Sequence, residues 1–370
     1  MSKIHFKQTE IGDHVELIYG DGLPERDRKG GKYPVYGSNG IVGYHDRALV
    51  KGPGIIIGRK GTVGQVTLSK DDFWPIDTTY YVNLKEGGDI FFWFYLLQTL
   101  GLSQMNSHSA VPGLNRDNVY SILKEIPSPA EQRAIVKILS DLDEKIELNH
   151  QMNKTLESIA QAFFKQLFIE KKGNSKRISI SDIIEFDPRM LAKKRDILPY
   201  VDMKELSTEG MTVGAVILKS FSGGSKFQNS DTLLARITPC LENGKTAFVG
   251  FLTDKQPIGF GSTEFIVMRA KQGISPQFVY CLARDPEFRS FAIKSMIGSS
   301  GRQRVQRNML ESYEIFKPDQ DSMNNFHKAT FPLFSKVIEN WKETKALIQI
   351  RDSLLPRLMS GKIRVRLNNL

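Results

Sequence analysis

Short apolar runs broken by glycine and proline fill residues 6 to 127: Val15-Glu-Leu-Ile-Tyr19, Tyr33-Pro-Val-Tyr36, Gly40-Ile-Val-Gly-Tyr44 and Gly54-Ile-Ile-Ile57. Runs of this length between turn-formers predict strands joined by tight turns, and the aromatic stretch Phe91 to Leu100 predicts a helix packed on them. At Ser128-Pro-Ala-Glu-Gln132 the period changes. Ser128 suits an N-cap, Pro129 the first helical position, and Glu131 the third, from which its carboxylate can reach back to the cap amide. Apolar residues then recur three and four apart at Ile135, Leu139, Leu142, Ile146, Leu156, Ala160, Phe163 and Leu167, with Asn149 and Asn153 in the seam. Gly173 ends the pattern, so about 42 residues form a rod of roughly 60 Å. A second β-rich stretch runs from about Arg177 to Phe316, and a second long helical stripe follows Pro318 through Phe334, Val337, Trp341, Ile348, Leu355 and Leu358, with Arg351 in its seam. Pro332 and Pro356 predict that this helix is kinked or segmented.

The chain therefore runs through one plan twice. Arg59 falls opposite Arg236, and Thr78-Thr79 opposite Ser262-Thr263. The aromatic runs Phe92 to Leu97 and Phe278 to Leu282 follow at corresponding places, and a proline, Pro129 or Pro318, precedes each long helix. A long-period repeat of this kind is to be settled before fold is argued. It predicts an α+β (mixed α/β) protein: two globular domains separated by two long antiparallel coiled-coil helices, with a pseudo-twofold internal repeat. The boundaries are 1–128 for the first domain, 129–172 for the first helix, 173–317 for the second domain, and 318–370 for the second helix and tail.

Composition changes this picture little. An apolar fraction of 40% with 25% charged residues is that of a folded globular protein. Only Cys240 and Cys281 are present, which excludes a disulfide framework and a multi-cysteine zinc site. The segment Met1-Ser-Lys-Ile-His-Phe-Lys7 has no apolar signal core, and the longest apolar run, Ile90 to Leu97, is too short to span a membrane. A cytoplasmic protein without membrane partners is expected.

Charge adds more. Of the net +10, residues 1–128 contribute nothing, with 14 Lys and Arg against 14 Asp and Glu, and residues 129–172 nothing, with 7 against 7. Residues 173–316 hold 20 against 15, and 317–370 hold 10 against 5, so the whole excess lies in the second half. A basic surface suggests a polyanionic partner. The first domain, neutral in total, must bind such a partner through local placement of its cations.

The motifs of catalysis are missing. Asn243-Gly-Lys-Thr246 resembles the end of a phosphate-binding loop, but Pro239 stands where that motif needs a glycine, and a β-turn is expected. The six histidines show no metal-ligand spacing. No Asn-Pro-Pro-aromatic or Asp-Pro-Pro-aromatic run of an amino-methyltransferase occurs, and Pro318-Asp319 lacks the acidic-x-lysine continuation of a nuclease motif. What remains is binding chemistry. Arg59, Lys60 and Thr62 lie among Gly58, Gly61 and Gly64, where backbone can approach a phosphate or an arginine can reach a guanine edge. Ser38 and Asn39 present short polar side chains at a turn, and Arg116 adds a cation. In the second domain the candidates are Lys226, Arg236, Thr238, Asn243 and Lys245, together with the donor-rich loop of Ser299, Ser300, Arg302, Gln303, Arg304 and Arg307.

Ile126-Pro-Ser-Pro-Ala-Glu-Gln-Arg-Ala-Ile135, Leu156-Glu-Ser-Ile-Ala-Gln-Ala-Phe-Phe-Lys165, and Arg351-Asp-Ser-Leu-Leu-Pro-Arg-Leu-Met-Ser-Gly-Lys-Ile363 resemble the specificity (S) subunits of type I restriction-modification systems, as does Tyr33 to Val66. The resemblance implies two target-recognition domains, each reading half of a bipartite double-stranded DNA target. It implies helices that set the spacing and hold two methyltransferase (M) subunits, joined by restriction and translocase (R) subunits. S-adenosylmethionine, ATP and Mg2+ would be bound by those partners and none by this chain, which would itself be noncatalytic. Phe316-Lys-Pro-Asp-Gln-Asp-Ser-Met323 departs from the Pro-x-Glu-Gln wording at the start of the first helix, so the two M-binding faces need not be equivalent. Two other readings predict different behaviour: a self-contained methyltransferase or nuclease with degenerate motifs, and a coiled-coil adaptor binding protein partners without salt-sensitive DNA affinity.

Overall fold

A run with no polar position, Gly54 to Gly58, has no face to give to water, and it forms a strand buried along its whole length. Around it, the computed structural model describes residues 7–85, 88–105, 113–170, 176–299 and 301–365. Residues 1–6, Gly173 and Ser300 lie outside the described residues. The chain divides into one unit of the residues up to Lys145 together with those from Leu347 on, and another of Ile146–Ala346.

The first unit contains β1 (Lys7–Glu10), α1 (Ile11–His14), β2 (Val15–Tyr19), β3 (Tyr33–Gly37), β4 (Gly40–His45), β5 (Gly54–Gly58), β6 (Val66–Ser69), β7 (Trp74–Pro75), β8 (Thr79–Leu84), α2 (Ile90–Gln98), α3 (Arg116–Tyr120), β9 (Leu123–Ile126) and the start of α4 (Pro129–Phe164). One antiparallel sheet has the order β2-β8-β5-β6, a second the order β4-β3-β7, and β1 pairs with β9. In α2, Asp89 caps the amides of Phe91 and Phe92, and Phe92, Trp93, Tyr95, Leu96 and Leu97 are buried. They share a core with Ile55, Ile57 and Tyr80, with Ile135 and Leu139 of α4, and with Leu358 and Met359 from the far end of the chain.

The second unit repeats this order. It contains the rest of α4, then β10 (Arg177–Ser179), β11 (Ile184–Phe186), β12 (Ile197–Val201), β13 (Ile217–Ser220), β14 (Ser225–Phe227), β15 (Thr232–Ala235), β16 (Thr246–Phe248), β17 (Gly259–Gly261), β18 (Phe265–Ala270), α5 (Pro276–Arg284), α6 (Pro286–Lys294), α7 (Arg307–Glu311), β19 (Glu314–Phe316) and most of α8 (Gln320–Met359). Its sheets run β11-β18-β15-β16 and β13-β12-β17-β14, and β10 pairs with β19. Parallel pairing of β3 with β7 is matched by parallel pairing of β12 with β17. The internal repeat is thus one of topology, with β14 and α6 added in the second copy.

Backbone hydrogen bonds set the register of the repeat. Arg59 N donates to Thr78 O at 2.9 Å, and Arg236 N to Glu264 O at 3.0 Å; Thr79 N donates to Ile76 O, and Phe265 N to Ser262 O. Arg59 therefore stands opposite Arg236 as expected, but Thr78 stands opposite Glu264. The alignment of Thr78-Thr79 with Ser262-Thr263 is out of register: it matches the hydroxyls, whereas the hydrogen bonds count residues from the start of the strand.

Both long helices form. Ser128 Oγ accepts the amide of Glu131 at 3.4 Å, while the Glu131 carboxylate takes two hydrogen bonds of 2.6 Å from Arg364 instead of reaching back to the cap. A π-helical stretch, Lys165–Glu170, continues α4, and Phe168 there meets Phe164, Phe278 and Phe326. α8 is one unsegmented helix through Pro332 and Pro356. Each proline takes its own amide out of the ladder and crowds the carbonyl four residues before it, and the flanking turns pack in the two cores through Phe334, Val337, Leu358 and Met359. Within the second unit α4 and α8 are antiparallel: Asn149 bonds Glu343 and Thr344, and Asn340 donates to Asn153 at 2.8 Å. Within the first, Arg351 bonds Asp143 at 2.7 Å. The seam asparagines and Arg351 are all paired, which fixes register where leucines would leave it free to slip.

Glu131 is almost fully buried and Arg364 is 41% exposed at its side chain. Arg364→Ala is expected to cost the first unit about 2 kcal/mol, between the values for exposed and buried pairs, because the carboxylate keeps its burial and loses its cation. Urea unfolding followed by Trp93 fluorescence measures it.

Candidate nucleic-acid interface

The turn after β5 is built around Gly58, where a Cβ would stand 2.1 Å from Thr62 O. Gly58 N donates to Gln65 O and Gly64 N to Gly58 O, which closes Arg59 to Val63 into a tight loop with Lys60 and Thr62 exposed. The turn of Ser38 and Asn39, between β3 and β4, lies against it: Ser38 O is 3.1 Å from the Gly58 Cβ position and Ser38 Oγ 3.0 Å from that of Gly61. Leu114 N donates to Arg59 O, which brings the start of α3 to the same place. Ser38, Asn39, Arg59, Lys60, Thr62 and Arg116, spread over nearly eighty residues of sequence, are gathered on one edge of the first unit.

Tyr19 organises that edge. The guanidinium carbon of Arg59 lies 5.0 Å from the centre of its ring and that of Arg116 4.7 Å, and the ring is 48% exposed. Arg59 donates Nε and Nη2 to Asp77 O, and Arg116 donates Nη1 to Leu17 O. Carbonyls and a ring orient the two cations without neutralising them, and among the described residues no carboxylate forms an ion pair with either. Beneath them burial, foremost, raises the Tyr80 phenol to about 12, so this second ring is uncharged at physiological pH. The first domain, neutral in total, thus gathers two cations in one place.

The second unit builds the matching place with other materials. Val305 N donates to Arg236 O as Leu114 N does to Arg59 O, so Arg307, the first residue of α7, corresponds to Arg116, the first residue of α3. Thr238 N donates to Gln303 O, and Ile297 and Arg304 exchange backbone hydrogen bonds, which holds residues 303–305 against Arg236 and Thr238. Here the charges are partly compensated. Arg304 forms a bidentate pair with Glu264, with its closest approach at 2.7 Å, and Arg307 pairs with Glu311 at 2.6 Å. The hydrogen bond from Arg304, foremost, holds the Glu264 carboxyl below its ordinary pKa. Arg236 donates to Gln306 Oε1, a neutral acceptor, while its Nε and Thr238 Oγ1 are buried without a partner among the described residues. Ser299, Arg302 and Asn243 are exposed at turns. Lys245 is spent on structure, donating to Met203 O and Lys204 O, and Lys226 lies by a separate cavity, over the ring of Phe221 at 5.6 Å.

Sequence reasoning missed Tyr19, Glu264 and Asp187. Tyr19 ends an apolar strand and reads as core; its role comes from two arginines 40 and 97 positions away. Asp187, just past β11, acts electrostatically on both Arg236 and Arg307, and its signal, an aspartate before proline at a strand end, is that of any turn.

Residues 4–158 match the family described as Type I restriction modification DNA specificity domain. The chain is 25% identical over 352 residues to the Type I restriction enzyme MjaIX specificity subunit of Methanocaldococcus jannaschii, covering 84% of this chain and 78% of that protein. It is 25% identical over 333 residues to the Type I restriction enzyme HindI specificity subunit of Haemophilus influenzae, covering 68% and 71%. The crystal structure of a Type-I restriction-modification system S subunit from M. genitalium has the same fold, with a TM-score of 0.66 at 16% identity over 97% of both chains. No described helix is long and apolar enough to cross a membrane.

Proposed function

We propose that the chain is a specificity subunit of a type I restriction-modification system, in which each of its two sheet-bearing units reads one half of a bipartite DNA target while α4 and α8 set the gap and dock the methyltransferase subunits. The observation that carries this reading is the matched pair of arginines, Arg59 with Arg116 and Arg236 with Arg307, placed by the same backbone hydrogen bonds in both copies of the fold. One domain reading a few base pairs discriminates weakly, at about 1 to 3 kcal/mol per mismatched pair. Joining two in one chain makes the second binding event intramolecular and multiplies the specificity. Methyl transfer, with S-adenosylmethionine, belongs to the M subunits, and ATP- and Mg2+-dependent translocation and cleavage to the R subunits; this chain supplies the address. Sequencing the methylated motif made with cognate M subunits tests the reading. A bipartite motif supports it; DNA methylated or cut by this chain alone overturns it, as does DNA affinity that does not fall with salt.

The helices as a ruler give a further expected result. Four residues inserted between Asn149 and Asn153, matched by four between Asn340 and Thr344, preserve the antiparallel seam and add about one turn, ~5.4 Å. The spacer in the methylated motif is expected to lengthen by one or two base pairs at ~3.4 Å each. An unchanged spacer removes the ruler role.

A further inference from the structure

The second unit holds an open cavity of about 440 Å³ between the segment that follows β11 and the loop that leads into β14, lined by Asp187, Arg189, Leu191, Gly224 and Lys226 among others. Its shape depends on two unusual backbone positions. Gly224 has φ +116, and a Cβ there would meet Gly261 O at 2.1 Å, so the loop lies tight on β17 and leaves the space beside it open. Asp187 has φ +46, a left-handed conformation that costs most residues but which aspartate tolerates. It is held there by its amide, which donates to Val267 O at 2.7 Å, and by its Oδ1, which accepts Val267 N at 2.9 Å. Among the described residues no hydrogen bond uses Oδ2.

Around this half-buried carboxylate stand cations. Arg236 and Arg307 attract it, Glu311, the partner of Arg307, repels it, and Arg189 and Lys226 line the cavity with it. Leu191, 94% exposed, supplies an apolar wall open to the outside. On a surface that meets phosphates a carboxylate is a repulsive choice unless it accepts a hydrogen bond that phosphate cannot give. In the major groove the base groups able to give one are exocyclic amines, cytosine N4 and adenine N6.

We propose that this cavity receives one nucleotide of the half-site read by the second unit, with Asp187 Oδ2 accepting a hydrogen bond from an exocyclic base amine and Lys226 and Arg189 meeting the flanking phosphates. The inference rests on the reading of the chain as a DNA-specificity subunit and names where one of its base-specific contacts lies. It places a discriminating carboxylate in the more basic half of the chain, in a place where the first unit has Ile18 and Tyr19 at the end of β2.

Asp187→Asn keeps the shape, the tolerance of positive φ and the Oδ1 acceptor, and turns the free acceptor into a donor. The test is methylated-motif sequencing of the full chain assembled with its M subunits. One cytosine or adenine position in one half-site is expected to relax or change, with discrimination there falling about ten-fold or more, while the other half-site is unaltered. Which base changes tells cytosine N4 from adenine N6. Lys226→Gln, in parallel, is expected to weaken binding to all sequences alike and to lower the slope of log affinity against log salt by about one. A wild-type motif from a folded D187N chain overturns the base contact, and an unchanged salt slope in K226Q overturns the phosphate contact. A wild-type chain that yields no bipartite motif would instead remove the functional reading beneath both.

Discussion

Replacing Arg269 by methionine is expected to lower the stability of the second unit by about 3–5 kcal/mol, because it leaves the Asp231 carboxylate buried without its cation. Asp231 immediately precedes the central strand β15 with its side chain 1% exposed, and Arg269 on the neighbouring β18 bonds both of its oxygens at 2.7 Å. Among the described residues, what remains after the substitution is one hydrogen bond donated by the Gln228 amide, at 2.8 Å. Burial already raises the Asp231 carboxyl above the ordinary 3.8, with Arg269 opposing that rise, so removing Arg269 raises it further. A carboxyl whose pKa is higher in the folded chain takes up its proton before the unfolded chain does. Stability is then gained as pH falls through the folded value. The deficit of R269M against wild type is therefore expected to be largest at neutral pH and to shrink on acidification toward 3.8. Urea unfolding read by Trp341, with Trp74 and Trp93 replaced by phenylalanine, measures this in the second unit alone. Asp231→Leu combined with Arg269→Met is expected to restore most of the loss, since a buried ion pair replaced by apolar groups leaves no orphaned charge. A double variant as unstable as the single one would show that the pair adds net stability of its own.

The same contrast between local pattern and long-range placement explains how much could be read from the sequence. Strands β2, β3, β4 and β5 were legible to within a residue because their apolar runs end at glycine, proline or charge, a signal contained in five or six positions. The start of α4 at Pro129 was legible for the same reason. The unbroken course of α8 was not. Pro332 and Pro356 argue locally for a kinked or segmented helix, and segmentation does not occur because residues on either side pack in cores built by distant segments. Glu131 misled likewise, since its partner Arg364 is 233 positions away. In the candidate interface, residue type was the visible part and charge state the hidden one. Arg302, Arg304 and Arg307 look alike in sequence, yet Glu264 and Glu311 compensate two of them and Arg302 stands exposed. The charge census has the same limit: the second half holds the whole excess but pairs part of it, while among the described residues of the neutral first domain no carboxylate pairs with Arg59 or Arg116.

Those two arginines carry the largest functional effect expected of the first unit. Arg59→Ala with Arg116→Ala is expected to weaken binding of cognate DNA by about 10²- to 10³-fold, from two interactions worth roughly 1–3 kcal/mol each, less a share for their mutual dependence on Tyr19. The salt slope should fall by up to two, because among the described residues neither Glu nor Asp offsets either charge. One half of the methylated motif should degenerate and the other survive, which distinguishes loss of reading in one domain from loss of the whole complex. Arg59→Lys then separates two roles. Lysine keeps the cation but lacks the planar fork that bonds Asp77 O while stacking on Tyr19, so attraction to a phosphate would be largely retained while bidentate recognition of a base would disappear. If R59K restores affinity but not the motif, Arg59 reads a base edge; if it restores both, Arg59 meets phosphate and the reading in this domain falls to Arg116 and the Ser38-Asn39 turn. Should the double alanine variant bind cognate DNA as tightly as wild type while remaining folded, the gathered edge around Tyr19 is not where the first unit meets DNA.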